Sequence, residues 1–375
     1  MATTVSLSVS SQSPVALSPL PSSCRSIPGH EVIGTVVSLG SGSKRWKVGD
    51  RVGRGWAGGH CFECKACRLG KFLCCASHIV TGLNADGGMA EFMAARWESL
   101  CAVPAGMAAA AAAPLLCAGT TTFNSLRRMG LQQGAWVAVQ GLGGLGHLAV
   151  QFAAKMGYRV IALSSGPAKE AFARRLGALH FVDSSAADGP GTVAAVLQLT
   201  GGAGASLVIS TSPSGAAMSA VINALGPDGT LLVLGAGADP LQMWAGQLIH
   251  NNRVVRGWAS GSAVDSEECL EFVEAFGIQC MTETFPLEKA GEGANSDCEC
   301  NSEQCGGCHP AVQISTHRNV GSFALFGSAL PCALSLRFVL CSLRRHERQQ
   351  AAIPRRAPAV QGAVIALHRH ATSDR

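Results

Sequence analysis

The chain has 375 residues, a length that suits two domains of ordinary size. Apolar residues make up 47% of it and charged residues 14%, which favours folded domains over a disordered chain. The net charge of +5 is too small to indicate a nucleic-acid partner, and the alanine-rich run around residues 107–118 is too short to span a bilayer. We therefore expect no nucleic-acid and no membrane partner.

Residues 1–27 are rich in Ser, Thr and Pro and contain one basic residue, Arg25, and no acidic residue. A segment of this composition buries too little apolar surface to become ordered, so we predict disorder here. A transit peptide for an organelle has a similar composition, whereas no basic region followed by an apolar core marks a secretory signal. The prediction is a cytoplasmic protein, with an organelle as the alternative location.

Residues 28–118 have the pattern of a β-rich domain. Short strands are predicted at 32–39 and 47–52, separated by glycine turns, and residues 87–92 continue the β character. The alanine run 108–113 is predicted to be helical because Ala has the highest helix propensity.

Four cysteines of this region follow a C-x2-C-x2-C-x7-C spacing: Cys61, Cys64, Cys67 and Cys75. Four thiolates on one short loop can complete a tetrahedral zinc shell, which leaves no position for water. We therefore predict a structural zinc site, beside which Cys74 is spare. A nucleic-acid-binding zinc finger would need a histidine pair and a helix for the groove, and this segment has neither.

Residues 119–255 alternate between strand and helix patterns. Strands are predicted at 136–140, 159–163, 181–182, 207–210 and 230–234, and helices at 145–156, 169–176 and near 216–225. This alternation predicts an α/β fold, in which a doubly wound parallel sheet is covered on both faces by helices.

A glycine-rich turn follows the first of these strands and begins the first helix. Its predicted cofactor-binding residues are Gly141, Gly143, Gly144, Leu145 and Gly146. In a G-x-G-x-x-G turn the first glycine permits the tight turn, the second lets the backbone approach a pyrophosphate, and the third lets the helix pack on the strand. The helix N-terminus then favours the phosphate charge. The alternative is a strand–turn–helix unit that binds no ligand.

The end of the second strand indicates which dinucleotide is bound. An acidic residue there would bind the ribose 2′-hydroxyl and repel a 2′-phosphate. Here the position carries Ser164 and Ser165, with Lys169 just beyond. Hydroxyl groups and an ammonium group suit a 2′-phosphate, so NADP(H) is preferred over NAD(H). The alternative is that these serines only cap a helix.

Three further residues offer zinc ligands of different kinds. His30 and Glu31 follow Gly29, and Cys117 lies in a Pro-Leu-Leu-Cys-Ala-Gly-Thr-Thr segment that ends at Thr121. Brought together, an imidazole, a carboxylate and a thiolate would hold zinc with an open or exchangeable position. Taken singly, a histidine such as His30 is more often a hydrogen-bonded loop residue, and a cysteine such as Cys117 is more often a small buried residue.

Together with the four-cysteine lobe and the glycine turn, these segments resemble the zinc-containing medium-chain alcohol dehydrogenases over residues 28–291. The resemblance is to the branch of cinnamyl alcohol dehydrogenases and NADP-dependent aldehyde reductases. It implies a GroES-like catalytic domain over 28–118, with its N-terminal part truncated, a Rossmann domain over 119–255, and a return to the catalytic domain over 256–291. It also implies a catalytic zinc held by His30, Glu31 and Cys117, with Thr121 near the nicotinamide.

The reaction that this resemblance implies is the interconversion of primary alcohols and aldehydes by hydride transfer. The expected partners are zinc, NADP(H) and a small-molecule alcohol or aldehyde, and a homodimer is the assembly considered. One class of alternative is a catalytically impaired protein that binds a dinucleotide and zinc. Another is a zinc-independent reductase of the same superfamily.

Two departures from the family bear on these alternatives. The family has a further catalytic-zinc cysteine well upstream of the Gly-His-Glu segment, whereas the upstream cysteine here is Cys24. Residues 292–375 form a divergent tail without periodicity, which we predict to be disordered. Its Cys305-Gly306-Gly307-Cys308-His309 run matches a c-type haem attachment pattern or a metal clip, but an accidental run is preferred.

Overall fold

The structure is a computed structural model that describes residues 27–40, 43, 45–185 and 189–286, with side chains to residue 283. It also gives the backbone of four short strands outside these ranges, at Ser6–Ser10, Ala311–Ser315, Ser322–Phe326 and Ala363–Ile365. Apart from these strands, the predictions for residues 1–26 and 292–375 lie outside the described residues. Cys24 and the cysteine run that ends at His309 are among the residues concerned.

The described strands are short in the first part of the chain and longer in its centre. They are β1 (Ser6–Ser10), β2 (Glu31–Thr35), β3 (Ser38–Leu39), β4 (Arg51–Arg54), β5 (Ala57–Gly59), β6 (Ile79–Val80), β7 (Met93–Ala95), β8 (Leu100–Ala102), β9 (Trp136–Gln140), β10 (Arg159–Ser164), β11 (His180–Asp183), β12 (Ala205–Ser210), β13 (Leu225–Val233), β14 (Val254–Gly257), β15 (Thr282–Pro286), β16 (Ala311–Ser315), β17 (Ser322–Phe326) and β18 (Ala363–Ile365).

The described α-helices are α1 (Lys65–Arg68), α2 (Ala109–Ala112), α3 (Ala118–Arg127), α4 (Gly144–Lys155), α5 (Lys169–Leu176), α6 (Gly189–Leu199), α7 (Gly215–Ala220), α8 (Ala245–Ile249) and α9 (Ala263–Phe276). Single turns of 3₁₀ helix cover Phe72–Cys74, Trp97–Ser99, Ala113–Leu116 and Ile222–Ala224.

The central sheet has the strand order β11-β10-β9-β12-β13-β14, and every neighbouring pair is parallel. Its two middle strands are β9 and β12, and their apolar residues, such as Val137 and Leu207, are fully buried. Such complete burial requires cover on both faces, which the connecting helices supply. The predicted doubly wound α/β fold is therefore confirmed.

Three helices in this part of the chain, α3, α6 and the short α8, were not predicted from the sequence. Helix α6 begins Gly189-Pro190-Gly191, residues that ordinarily indicate a turn, although proline is well suited to the first turn of a helix. Helix α3 contains three consecutive threonines, which have low helix propensity. Two of the three hydroxyls are satisfied locally, since Thr120 Oγ1 donates to Leu115 O at 2.9 Å and Thr122 Oγ1 to Ala118 O at 2.7 Å.

Helices α3, α4 and α9 pack together. They form a core that joins the β-rich first part of the described chain to the part that contains the central sheet. Aromatic rings lie at their contact, with Phe123 of α3 at 5.6 Å from Phe152 of α4 and 5.2 Å from Phe272 of α9. Polar contacts add to it, since Asn124 Nδ2 donates to Ser260 O just before α9. The start of α3 is thereby fixed relative to the glycine turn at the start of α4.

The other large sheet has the order β15-β16-β17-β1-β2-β4-β8, in which β2 pairs antiparallel with β4 and β4 with β8. Residues 87–92, which were predicted to continue the β character, form no strand; the nearest strand is Met93–Ala95. Residues 87–89 instead form backbone hydrogen bonds with the segment before β2. The N–H groups of residues 87, 88 and 89 donate to the carbonyls of Ile27, Gly29 and Pro28, respectively. A β carbon at Gly87 would lie 2.1 Å from Gly29 O, so only glycine allows this approach.

Candidate functional site

His30, Glu31 and Cys117 converge although 86 residues separate the second from the third. His30 precedes β2, Glu31 begins it, and Cys117 is the N-cap residue of α3. The Nε2 atom of His30 lies 3.2 Å from Cys117 Sγ, and one ligand atom of each residue lies within 4.8 Å of the others. The imidazole also contacts Trp56 edge to face, at 5.1 Å between ring centroids.

The electrostatics of this trio suit a cation. Glu31 is fully buried, and neither of its carboxylate oxygens makes a hydrogen bond of normal geometry among the described residues; the nearby Cys117 thiol is itself a candidate ligand. Burial raises the pKa of Glu31 well above its ordinary value and lowers the pKa of His30 to about 4. Burial, reinforced by the Glu31 charge, also raises the pKa of the Cys117 thiol.

Burying a charged carboxylate without a partner destabilises the fold by roughly several kcal/mol unless a cation compensates the charge. Zinc would do so here, because a neutral imidazole, a carboxylate and a thiolate are the ligands that it prefers. The three residues therefore fit a zinc ion with room for at least one further ligand. This is the donor set predicted from the sequence.

The four cysteines of the predicted structural site also converge. Their sulfur atoms all lie within 4.8 Å of one another, with Cys61 Sγ at 3.5 Å from Cys75 Sγ and 4.0 Å from Cys67 Sγ. A tetrahedron with Zn–S bonds of about 2.3 Å has edges of about 3.8 Å, so these separations match a zinc–thiolate shell.

Backbone amides of the same loop point at the sulfur atoms. Cys64 N–H donates to Cys61 Sγ at 3.4 Å, Cys67 N–H to Cys64 Sγ at 3.5 Å, and Ser77 N–H to Cys75 Sγ at 3.3 Å. Donors of this kind stabilise thiolate over thiol and lower the pKa of Cys64 to about 6. Cys74 is exposed and is not part of the cluster.

The glycine turn between β9 and α4 has three different environments. Gly141 has φ +89°, a conformation that other residues rarely adopt. A β carbon at Gly146 would lie 1.8 Å from Gly141 O, whereas one at Gly143 would meet nothing within 4 Å. Gly144 is the first residue of α4, and the Leu145 side chain is buried in the core. Only the backbone of Leu145 can therefore face a ligand at this helix N-terminus.

The predicted 2′-phosphate residues lie together beyond the next strand. Ser164 is the last residue of β10, Ser165 follows it, and Lys169 is the first residue of α5. Sequence reasoning missed Asp183, at the end of the neighbouring strand β11 and paired with Ser164. Its carboxylate accepts from Gly166 N–H at 2.9 Å and so fixes the turn after Ser165.

Thr121 lies one helical turn beyond Cys117 on α3. Its N–H donates to Cys117 O at 2.8 Å, and its side chain is buried. Helix α3 packs against α4, the helix that begins at the glycine turn. Thr121, which is predicted to lie near the nicotinamide, therefore lies on a helix next to the predicted cofactor site.

Sequence reasoning missed two buried polar residues of α4, His147 and Gln151. Polar residues on the inner face of an apolar helix are the signal that identifies them.

Comparison with known proteins gives two family matches. The family described as zinc-binding dehydrogenase matches residues 144–275, and the alcohol dehydrogenase GroES-like domain matches residues 8–105. None of the described helices combines the length and the apolar character that crossing a bilayer requires.

Individual relatives cover most of the chain. Alcohol dehydrogenase patD of Penicillium expansum is 44% identical over 266 residues, which is 71% of this chain and 76% of the relative. A probable cinnamyl alcohol dehydrogenase of Oryza sativa is 36% identical over 270 residues, 70% of this chain and 73% of the relative. Among solved structures, a cinnamyl alcohol dehydrogenase of Sorghum bicolor aligns with a TM-score of 0.64 and 29% identity, covering 81% of this chain and 83% of that one.

Proposed function

This chain belongs to the zinc-binding, medium-chain alcohol dehydrogenases, and on that premise we propose that it interconverts primary alcohols and aldehydes with zinc and NADP(H). Oxidoreduction of alcohols and aldehydes with a nicotinamide cofactor follows from the family. The observation that carries the zinc dependence is the buried, unpartnered carboxylate of Glu31 beside His30 and Cys117.

In this proposal His30, Glu31 and Cys117 hold the catalytic zinc, which supplies Lewis acidity toward the substrate oxygen when bound. The residues of the chain do the rest. The glycine turn and the start of α4 hold the pyrophosphate, and Thr121 lies beside the nicotinamide. Helix α3 carries both Cys117 and Thr121, so it fixes the distance between metal ligand and cofactor. Such positioning contributes much of the rate enhancement.

The preference for NADP(H) is supported by the side chains after β10. Ser164, Ser165 and Lys169 offer hydroxyl groups and a positive charge, with no acidic residue at the end of that strand. The nearby carboxylate of Asp183 accepts hydrogen bonds from Gly166 N–H, Ser185 N–H and Ser185 Oγ. All three of these hydrogen bonds end on Oδ1, so this oxygen is engaged by the turn that follows Ser165. The cytoplasmic location and the homodimer stay predictions from the sequence.

Zinc content per chain tests the metal assignment. We expect two zinc ions in the unaltered protein and one in Cys117→Ser, together with loss of primary-alcohol oxidation. Cys74→Ser is the matched control and should retain both ions and full activity, since Cys74 is exposed and outside either cluster.

Other outcomes would favour the alternatives. One zinc ion in the unaltered protein, with cofactor binding but no turnover, would favour the catalytically impaired binding protein. Full activity after complete removal of zinc would favour the zinc-independent reductase. A kcat/KM with NAD⁺ equal to or above that with NADP⁺ would contradict the cofactor preference.

A further inference from the structure

Two buried polar side chains of α4 reach across to the chain that leaves α9 and enters β15. His147 Nε2 lies 3.3 Å from Met281 N, and its Nδ1 lies 3.1 Å from Gly143 O in the glycine turn. One helical turn later, Gln151 bonds both backbone groups of Gln279: its Nε2 donates to Gln279 O at 2.9 Å, and its Oε1 accepts from Gln279 N–H at 3.0 Å. We call these contacts the α4 clasp.

The partners of His147 fix its protonation state. A backbone N–H can only donate, so Nε2 must accept from Met281, and Nδ1 must then carry the proton that is donated to Gly143 O. Only the neutral imidazole with a proton on Nδ1 satisfies both contacts. Burial has the same effect, because it lowers the pKa of His147 to about 4. His147 thus joins the cofactor turn to residue 281 as a donor on one side and an acceptor on the other.

The clasped segment leads into the sheet in which Glu31 lies. Cys280, between the two clasped residues, packs against the core cluster that contains Ile33, two residues beyond Glu31. Burial raises the pKa of the Cys280 thiol, and the negative charge of Glu31 raises it further. One residue beyond the clasp, β15 enters the sheet that also contains β2.

We propose that His147 and Gln151 are positioning residues that couple the occupied glycine turn to the segment Gln279–Met281, and through it to β15, a strand of the sheet in which Glu31 lies. The coupling rests on the proposed function, in which the glycine turn binds the dinucleotide. Cofactor held at the turn orders Gly143, and Gly143 O orients the His147 ring. The oriented ring then holds Met281 N–H. Neither side chain touches substrate, so the effect is on the alignment of cofactor and metal site.

Hydrogen–deuterium exchange of the peptide containing Gln279 and Met281 tests the clasp in the full chain. His147→Asn retains a donor near the Nδ1 position but loses the acceptor for Met281, whereas His147→Gln retains an acceptor near the Nε2 position. We expect exchange at Met281 to be about tenfold faster in His147→Asn, since a net hydrogen bond is lost, and near the original rate in His147→Gln. Equal exchange in all three proteins would overturn the clasp.

The coupling is tested by repeating the exchange with NADPH, whose binding is followed independently by its fluorescence. We expect NADPH to slow exchange at Gln279 and Met281 in the unaltered protein and in His147→Gln, but to leave it unchanged in His147→Asn. In turnover, with kcat calculated per NADPH-binding site so that unfolded enzyme is not counted, His147→Asn should lower kcat about tenfold while changing the KM for cofactor less than about twofold.

Three results separate the two proposals. NADPH that binds without slowing exchange at residues 279 and 281 would overturn the coupling and leave the proposed function intact. Failure of NADPH to bind the unaltered protein would contradict the proposed function and the coupling together. A fall in kcat of the same size in His147→Gln as in His147→Asn would also overturn the role assigned to the Met281 contact.

Discussion

At the scale of single residues, two glycines of the same turn differ in what a methyl group would meet. A β carbon at Gly146 would lie 1.8 Å from the carbonyl oxygen of Gly141, which is backbone and has little freedom to move. A β carbon at Gly143 would enter open space, and its φ of −80° suits any residue. We expect Gly146→Ala to lower the free energy of unfolding by about 1–3 kcal/mol or more.

Gly143→Ala is the matched substitution and should act on the cofactor alone. Its unfolding free energy should stay within about 1 kcal/mol of the original, because alanine fits the backbone there. Its Kd for NADPH should rise at least about tenfold, since the methyl group fills the space through which the backbone approaches the pyrophosphate. Thermal denaturation and fluorescence titration check the pair. Unchanged NADPH affinity in Gly143→Ala would contradict the assigned position of the pyrophosphate.

At the scale of elements, the four-cysteine lobe has little regular structure of its own. Its helix α1 has four residues, far below the length at which an isolated helix is stable. Besides ring contacts such as that between Phe62 and Trp97, the order of the lobe therefore depends on its sulfur contacts and the metal they suit. We expect Cys61→Ser to lose one zinc ion per chain and to make residues 61–75 the first site of proteolysis.

The same experiment has an internal control. Cys74→Ser changes an exposed thiol inside the lobe and should leave zinc content and protease resistance unaltered. The strands of the central sheet should resist proteolysis in both variants, because their core is separate from the lobe. First cleavage inside the central sheet of Cys61→Ser would show that the lobe stabilises the whole molecule rather than itself.

At the scale of the whole molecule, sequence patterns predicted the central sheet better than the catalytic domain. Strand Trp136–Gln140 and helix Lys169–Leu176 were predicted residue for residue, because glycines mark their ends; Gly177, for example, ends α5 with φ +107°. The strands before residue 103 are two to five residues long and are held by long-range contacts. Residues 87–89, which bind the chain at 27–29, show why local patterns fail there.

The two candidate zinc sites differ in the same way. The four-cysteine site lies within 15 residues, so its spacing alone predicted it. The contact between His30 and Cys117 depends on how β2 and α3 pack, which no local pattern encodes, and only the family resemblance suggested it. The α4 clasp was missed altogether, because the partners of His147 and Gln151 are backbone groups, whose positions depend on the fold rather than on residue type.

Buried histidines also set how the stability of the whole molecule depends on pH. Burial lowers the pKa of His147 from 6.5 to about 4, so the unfolded chain binds a proton in that interval and the folded chain does not. The stability contributed by the neutral ring is therefore fully present above pH 6.5 and is lost as the pH falls toward 4. Burial lowers the pKa of His30 in the same direction.

His147→Gln removes this one proton site while keeping an acceptor for Met281. Between pH 7.5 and pH 5 the unaltered protein should lose about 2 kcal/mol more unfolding free energy than the variant, because each pKa unit corresponds to about 1.4 kcal/mol. Urea denaturation at the two pH values measures the difference, and His30 and the carboxylates contribute equally to both proteins. Parallel loss of stability in the two would mean that His147 accepts a proton in the folded state. The ring would then have to release Met281 N–H without unfolding the chain.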